Sequence, residues 1–423
     1  MKKKFLLVNK KSFFSFKIVK IWIIIIMVFF LSIFIINKYF NIERYIFKRT
    51  KREYKKRTNY TRKEALERGR NFLNLCLQEK LINNIMFKKS KNPIITVIVP
   101  IYNSEPYIKK VIRSIQNQSL LDIEIILVND VSTDNTLKII EELQKEDPRI
   151  EIINNVKNMG ILYSRCMGVL NAKGKYVVPL DHDDFFFDDD VFEVIYEEAE
   201  DTNFDIISFM DVEIRNVYEN IKGMRDGCTT HQPDGLIIKQ PELPYFPFFK
   251  NNKYSLVDVD IWGKIYKTEI YKEGINLLGK ERYSIYNAFN EDQIALFAIC
   301  MVSKSYKYVR KYGIFHIMGK GHQSALKRAK IEHAQKMQIF FTEEIFDLSK
   351  NENKKYGLFM AISFNFKNLN EDNKLYLRNI LNKILECEYI EQKFKQELVN
   401  KYKNILINQN NTIFIKNATF INQ

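Results

Sequence analysis

Cysteine is too sparse and too irregularly placed to shape this chain. Its five cysteines, Cys76, Cys166, Cys228, Cys300 and Cys387, are scattered over 423 residues. An odd number forms no complete set of internal bridges, and the intervals match no zinc site. Internal repeats are absent. Also missing is positive charge where a nucleic-acid-binding body would need it. The whole chain carries +15, yet residues 1–91 hold 24 Lys or Arg against five Glu and no Asp, a net of +19, which leaves −4 on residues 92–423. The basicity belongs to an N-terminal arm, suited to anionic lipid headgroups or to a solvated stalk, and argues against nucleic acid as a partner.

One long apolar run is present. Ile21 to Ile36 is interrupted only by Ser32, and with Ile18, Val19 and snorkelling Lys17 and Lys20 it approaches the ~20 residues that a membrane span requires. No small-residue cleavage site follows in Asn37-Lys-Tyr-Phe-Asn41, so a retained anchor over 18–37 is expected behind a basic tail, 1–17. Seven lysines precede the run and nine Lys or Arg lie between Lys38 and Arg57, so the positive-inside rule assigns no orientation. Sequons at Asn59, Asn117, Asn410 and Asn417 would permit glycosylation in a lumen. Residues 38–91 read as a basic, partly helical stalk. Thr61-Arg-Lys-Glu64 is a capping box, and Leu66, Phe72, Leu73, Leu77 and Leu81 form an apolar stripe, on a helix that either stands free or packs on the body beyond.

The body opens with alternating strand and helix signals. Ile94 to Val99 and Ile123 to Val128 are β-branched runs, the first ending in Pro100 and Tyr102-Asn103, the second in Asn129-Asp130-Val131-Ser132-Thr133-Asp134. Ser132 or Thr133 is the expected cap of the helix carrying Leu137, Ile140 and Leu143. The strand Ile150 to Ile153, a helix from about Gly160 and the strand Tyr176 to Leu180 complete the pattern of a mostly parallel α/β sheet flanked by helices. In such sheets ligands bind beyond the carboxyl ends of the strands, where Tyr102, Asp130, Asp181 and Asp183 fall. The last strand ends in Asp181-His-Asp-Asp184, a concentration of carboxylates that a divalent cation would stabilise; its alternative is a solvated acidic turn. Asp188 to Asp190 are expected to cap the next helix.

Four segments in order, Ile95-Thr-Val-Ile-Val-Pro-Ile-Tyr-Asn-Ser-Glu105, Val128-Asn-Asp-Val-Ser-Thr-Asp134, Asn158-Met-Gly160 with Arg165 and Gly168, and Leu180-Asp-His-Asp-Asp184, resemble the family 2 glycosyltransferases, which have the GT-A fold. The resemblance is close over Pro93 to Phe209 and weaker to about Ser324. It implies a nucleotide-diphosphate sugar as donor, a glycan, lipid or protein acceptor, and a divalent metal, Mn or Mg, on Asp181 and Asp183. It also implies that Pro100, Tyr102, Asn103, Glu105, Asp130, Arg165 and Asp181 line the nucleotide-sugar site. Such a cation bridges the diphosphate and stabilises the charge that builds as the nucleotide leaves, and hard oxygen ligands suit it.

Transfer to a hydroxyl also needs a base. Asn290-Glu291-Asp292 opens the apolar segment Ile294 to Met301, so both carboxylates stand at the positive end of a helix. By resemblance Asp292 is the base and the reaction inverts the anomeric centre; helix capping is the plain alternative. Asp260-Ile-Trp-Gly-Lys-Ile-Tyr266 is similar to the segment that precedes the base in relatives, with Trp262 for an acceptor sugar and Lys264 for phosphate, alongside Glu291. His316 or His322 would be a metal ligand, and Lys320 between them would close over the diphosphate.

Four residues depart from the family pattern, one being His182, bulkier than the alanine or serine common at the centre of the metal motif and able itself to touch metal or acceptor. Asn129 replaces one acid of a pair, Cys166 stands where an asparagine follows the arginine, and Val131 takes the place of a small residue, so the turn there is expected to avoid positive φ. Tyr102-Asn103-Ser104-Glu105 is no Gly-rich basic loop, which argues against a sugar-phosphate nucleotidyltransferase. A second reading is an inactive membrane-tethered binding module that retains the fold. The expected layout is a GT-A domain over 92–324 and a helical region over 325–423. Membrane placement is expected to be lumen-facing in the Golgi or another endomembrane if the source is eukaryotic, with a cytosolic face as the other arrangement.

Overall fold

The computed structural model describes residues 61–81, 86–215, 225–226, 234–240, 243, 260–284, 291–318, 343, 347, 371–386 and 392–406. The expected span at 18–37, Asn290, Lys320, His322 and three of the sequons lie outside the described residues. Among the described residues no helix is long and apolar enough to cross a membrane. The chain divides into two units, Met1–Lys63 and Glu64–Gln423, and every described strand belongs to the second.

The elements run α1 (Arg62–Leu77), β1 (Ile95–Ile101), α2 (Ile108–Gln116), β2 (Ile123–Asn129), α3 (Thr136–Glu146), β3 (Ile150–Asn154), α4 (Ile161–Asn171), β4 (Tyr176–Pro179), β5 (Phe185–Phe186), α5 (Val191–Thr202), β6 (Ile206–Arg215), β7 (Arg225–Asp226), β8 (Ile237–Lys239), β9 (Lys264–Lys267), α6 (Thr268–Leu278), α7 (Lys280–Tyr283), α8 (Glu291–Val302), β10 (Ser305–Met318), α9 (Glu371–Glu386) and α10 (Gln392–Leu406). Among the described residues ten strands form one sheet of order β3-β2-β1-β4-β9-β6-β10-β5, with β7 beside β6 and β8 beside β10. β3, β2, β1 and β4 are parallel, as their buried β-branched runs suggest. The other half is mixed, which corrects the mostly parallel expectation. β9 runs antiparallel to both β4 and β6, and β5 antiparallel to β10. An apolar run buried on both faces reads the same in either direction, so strand polarity is not visible in composition.

This topology builds the site. β1 has β2 on one side and β4 on the other, so the winding reverses between β1 and β4 and leaves a crevice beyond their carboxyl ends. Asp181 leaves β4 into that crevice. β5 pairs with β10 through Phe185↔Phe315 and Phe186↔Ile314, and continuing that register sets His316 opposite Asp184. β10 thereby returns a histidine to the acidic turn from the far end of the domain.

The stripe on α1 packs on the body. Phe72, Leu73 and Cys76 are buried in the same core as β1, β2 and Phe185–Phe187. Gly69 lies against the Phe187 ring, where a Cβ would stand 2.5 Å from Cζ, so no larger residue fits without displacing it. Arg68 Nε donates to Asp188 Oδ2 at 2.7 Å, and its Nη2 lies 3.4 Å from Asp189 and 3.8 Å from Asp190, which also meets Lys311 Nζ at 3.0 Å. Asp190 does stand at the N-cap of α5, but no side-chain capping bond forms; the three carboxylates hold α1 and β10 instead.

Two local expectations change. α3 is preceded by Asn135, and Asp134 Oδ1 rather than Ser132 or Thr133 accepts from the Thr136 N–H, at 3.0 Å. Val131 does adopt positive φ, at 61°. The turn is held by neighbours on both sides: Asp130 N–H donates to Ile101 O at 2.8 Å and Ser132 N–H to Asn129 Oδ1 at 3.1 Å. Tertiary bonds thus override the preference of a β-branched residue, at a cost on the order of 1–3 kcal/mol. Val131→Gly is expected to raise stability by about 1 kcal/mol, the relieved strain exceeding the added unfolded-state entropy. Thermal unfolding of the two proteins side by side measures it, and a lower Tm for the glycine variant would contradict the strain.

Candidate active site

The first wall of the site is a pair of loops stitched together. Asn103, at φ 49°, donates its N–H to Ser132 Oγ at 3.1 Å, while its Oδ1 accepts from the Thr133 N–H at 2.8 Å. Ser104 N–H donates to Thr136 Oγ1 at 2.8 Å and Glu105 N–H to Asp134 Oδ2 at 3.2 Å. The Glu105 carboxylate in turn accepts from the Asn135 N–H at 3.1 Å and Nδ2 at 2.8 Å. In this structure Asn103 and Glu105 therefore bind loop to loop. Pro100 is buried in β1 and Tyr102 half-buried just after it.

Asp130 is buried, and both its oxygens are used. Oδ1 accepts from Met159 N–H at 2.8 Å and Asn155 Nδ2 at 2.7 Å, and Oδ2 from Gly160 N–H at 2.8 Å. A carboxylate just beyond β2 thus occupies the positive end of α4, where the free N–H groups of a helix favour an anion. It fixes where α4 begins, and hence where Arg165 lies one turn later.

Arg165 is the hub. Its side chain is 1% exposed; Nη1 donates to Asp292 Oδ1 at 2.6 Å and Nη2 to Asp181 Oδ1 at 3.0 Å. The carboxylate after β4 and the carboxylate opening α8 meet on one guanidinium. Asp292 also accepts the Ile261 N–H, so the Asp260–Tyr266 segment supports this carboxylate from behind. Burial pushes the Asp292 carboxyl above the usual range, and Arg165 pulls in the opposite direction. Glu291 beside it is buried with Oε2 lacking a partner, and burial together with the Asp292 charge pushes its carboxyl up to about 8.

Around the acidic turn, Asp183 is buried and raised, chiefly by burial and also by Asp181, while His182 and His316 oppose the shift. Asp184 is fully buried, raised well above the ordinary range by burial and by Asp183, and its Oδ1 accepts the Ile317 N–H at 2.8 Å. That bond ties β10 to the turn. His316 is half-buried with its ring 4.7 Å from that of Trp262. Trp262 is only 5% exposed, so it backs the histidine. Lys264 is buried, and its ammonium donates to the carbonyls of Asp260 and Trp262, inside the turn that supports Asp292. Asp181, Asp183 and His316 are of donor types that suit Mn or Mg, but among the described residues their ligand atoms do not lie within 4.8 Å of one another, so a cation there would have to draw them together. Among the described residues it is the Asp188–Asp190 cluster that brings its oxygens within 4.8 Å, and Arg68 and Lys311 already offset two of its three charges.

Two contributors carry little or no sequence signal. Asn155 holds Asp130, and Tyr271 is buried beside Arg165, Asp292 and Asp181 with its phenol raised by burial. The polar residues closing β3 are the visible signal for Asn155; Tyr271 has none.

Residues 96–275 match the family model described as Glycosyl transferase family 2. This stretch is similar to the family 2 glycosyltransferase domains. The chain is 32% identical over 200 residues to the uncharacterized glycosyltransferase EpsJ of Bacillus subtilis, covering 47% of this chain and 55% of that protein. It is 47% identical over 92 residues to an uncharacterized glycosyltransferase of Haemophilus influenzae, covering 22% and 28%. The chain thus spans about half or less of these relatives' length. Among solved structures, S. aureus TarS 1–349 is similar with a TM-score of 0.52, and its complex with UDP-GlcNAc with 0.51, at 16% and 17% identity, each covering 74% of this chain and 90% of that one. This likeness shows a GT-A-like α/β fold. The glycosyltransferase match ends before Asp292 and His316, which the fold returns to the domain through α8 and β10.

Proposed function

We propose that this protein is a membrane-anchored glycosyltransferase that moves a hexosyl or related sugar from a nucleotide-diphosphate donor to an acceptor hydroxyl, with inversion and with a divalent metal. The observation that carries this reading is the Arg165 bridge, which brings Asp181 and Asp292 into one site. Asp181, Asp183 and His316 are the residues that would hold the metal, which would neutralise the diphosphate. Asp292 takes the proton of the acceptor hydroxyl. The crevice between β1 and β4 receives the nucleotide, with Pro100, Tyr102 and Asp130 beneath it. Glu291, buried and with an unpartnered oxygen, is placed to hydrogen-bond a sugar hydroxyl. The apolar run over 18–37 supports the anchor, and the basic arm beside it supports contact with anionic headgroups.

Incubation with a panel of nucleotide sugars, scored for released nucleoside diphosphate with and without chelator, tests the reading. UDP-GlcNAc is the first donor to include, since the TarS relative binds it in its crystal structure. Metal-dependent release from one donor is the expected result. Silence across the panel, with no nucleotide binding by calorimetry, would favour the inactive binding module.

A further inference from the structure

We propose that Arg165 is a positioning residue, whose guanidinium couples the metal-motif carboxylate Asp181 to the base Asp292 and does not itself hold the nucleotide. This role rests on the glycosyltransferase function proposed for the same site and deepens it. Arg165 is 1% exposed, and both its terminal nitrogens are already committed to carboxylates. With the side chain this buried, a phosphate or ribose has little access to the remaining N–H groups, the unpartnered Nε among them. A planar fork with two terminal nitrogens is suited to hold two carboxylates from separate elements; an ammonium on a flexible stem is a single point charge.

The mounting of Arg165 supports a geometric role. α4 starts where Asp130 grips the Met159 and Gly160 N–H groups, so the helix is fixed to the end of β2. Its first turns carry Arg165 across the crevice, between the ends of β4 and α8. Asp292 receives a second fixed bond from the Ile261 N–H. Between them the two donors restrict how the base carboxylate can turn. Any movement of Asp181 on donor binding is transmitted through the guanidinium to Asp292, so the base responds to the state of the donor site.

The test uses the full-length protein with Arg165→Lys, the donor that the panel selects, and the matching nucleoside diphosphate with Mn as the binding probe. Arg165→Lys is expected to lower kcat about 100-fold, the scale of a small misplacement of a reacting group. The donor KM and the nucleotide Kd are expected to stay within about threefold of wild type, a split that general loss of structure would not produce. Combining Arg165→Lys with Asp292→Asn is expected to cost no more than Asp292→Asn alone, because the two act as one unit. If the lysine variant does not fold, Arg165→Gln, which retains a planar amide donor, takes its place with the same expected split. A kcat within about fivefold of wild type, a Kd that rises in parallel with the loss of kcat, or additive losses in the double variant would each overturn the proposal. Wild-type protein that neither binds nor turns over any donor would overturn the functional reading first, before any variant is made.

Discussion

Asp292→Asn is expected to lower turnover by about 10³-fold while leaving metal-dependent nucleotide binding within about threefold of wild type, the scale at which a general base contributes. The substitution keeps the shape of the side chain and an oxygen to accept from Arg165 Nη1, now 2.6 Å from Asp292 Oδ1. It removes only the basicity and one negative charge. The donor side, built from the ends of β1, β2 and β4, is hydrogen-bonded to Asp292 through Arg165, so affinity for the nucleotide should survive. Steady-state kinetics with calorimetry on the same preparation separates the two quantities. A variant that turns over normally would remove Asp292 from the chemistry; one that loses nucleotide affinity equally would make it a donor-site residue.

Asp183→Asn is expected to abolish transfer and to reduce nucleotide affinity in Mn to the value measured with chelator. The same substitution is expected to raise Tm. Asp183 is buried next to Asp181, and its carboxyl is raised by that burial, so its charge costs free energy in the metal-free protein and a neutral amide removes the cost. A protein that is more stable, folded and inactive cannot be explained by loss of structure, and such opposition between stability and function is common at reactive sites. Retained Mn dependence of nucleotide binding would show that the cation is held elsewhere.

Residues placed where a strand ends are legible in the sequence. Pro100, Tyr102, Asp130, Asp181 and Asp183 announce themselves because a buried apolar run points to them, and they stand at the carboxyl edge of the sheet as expected. Asp292 is legible through its place before the apolar turns of α8. How side chains pair across long intervals is not. Asp130 bonds to backbone near Gly160, and Glu105 closes on Asn135; a polar residue carries no mark of which distant partner will claim it. The direction of β9 and the positive φ of Val131 are hidden for a related reason. Both are imposed by neighbours that approach only in the folded chain. The α1 stripe is plainly apolar, but which surface it covers depends on the Gly69–Phe187 fit, a matter of shape.

The stitched loops after β1 and β2 bear on how fast a donor is captured. Several hydrogen bonds already cross between these segments in the free protein, so this part of the crevice is preorganised and little chain entropy is lost there when a ligand arrives. Association on this wall should proceed as capture by a rigid receptor, and differences in residence time among nucleotides would then reflect dissociation rather than slow rearrangement of the lip.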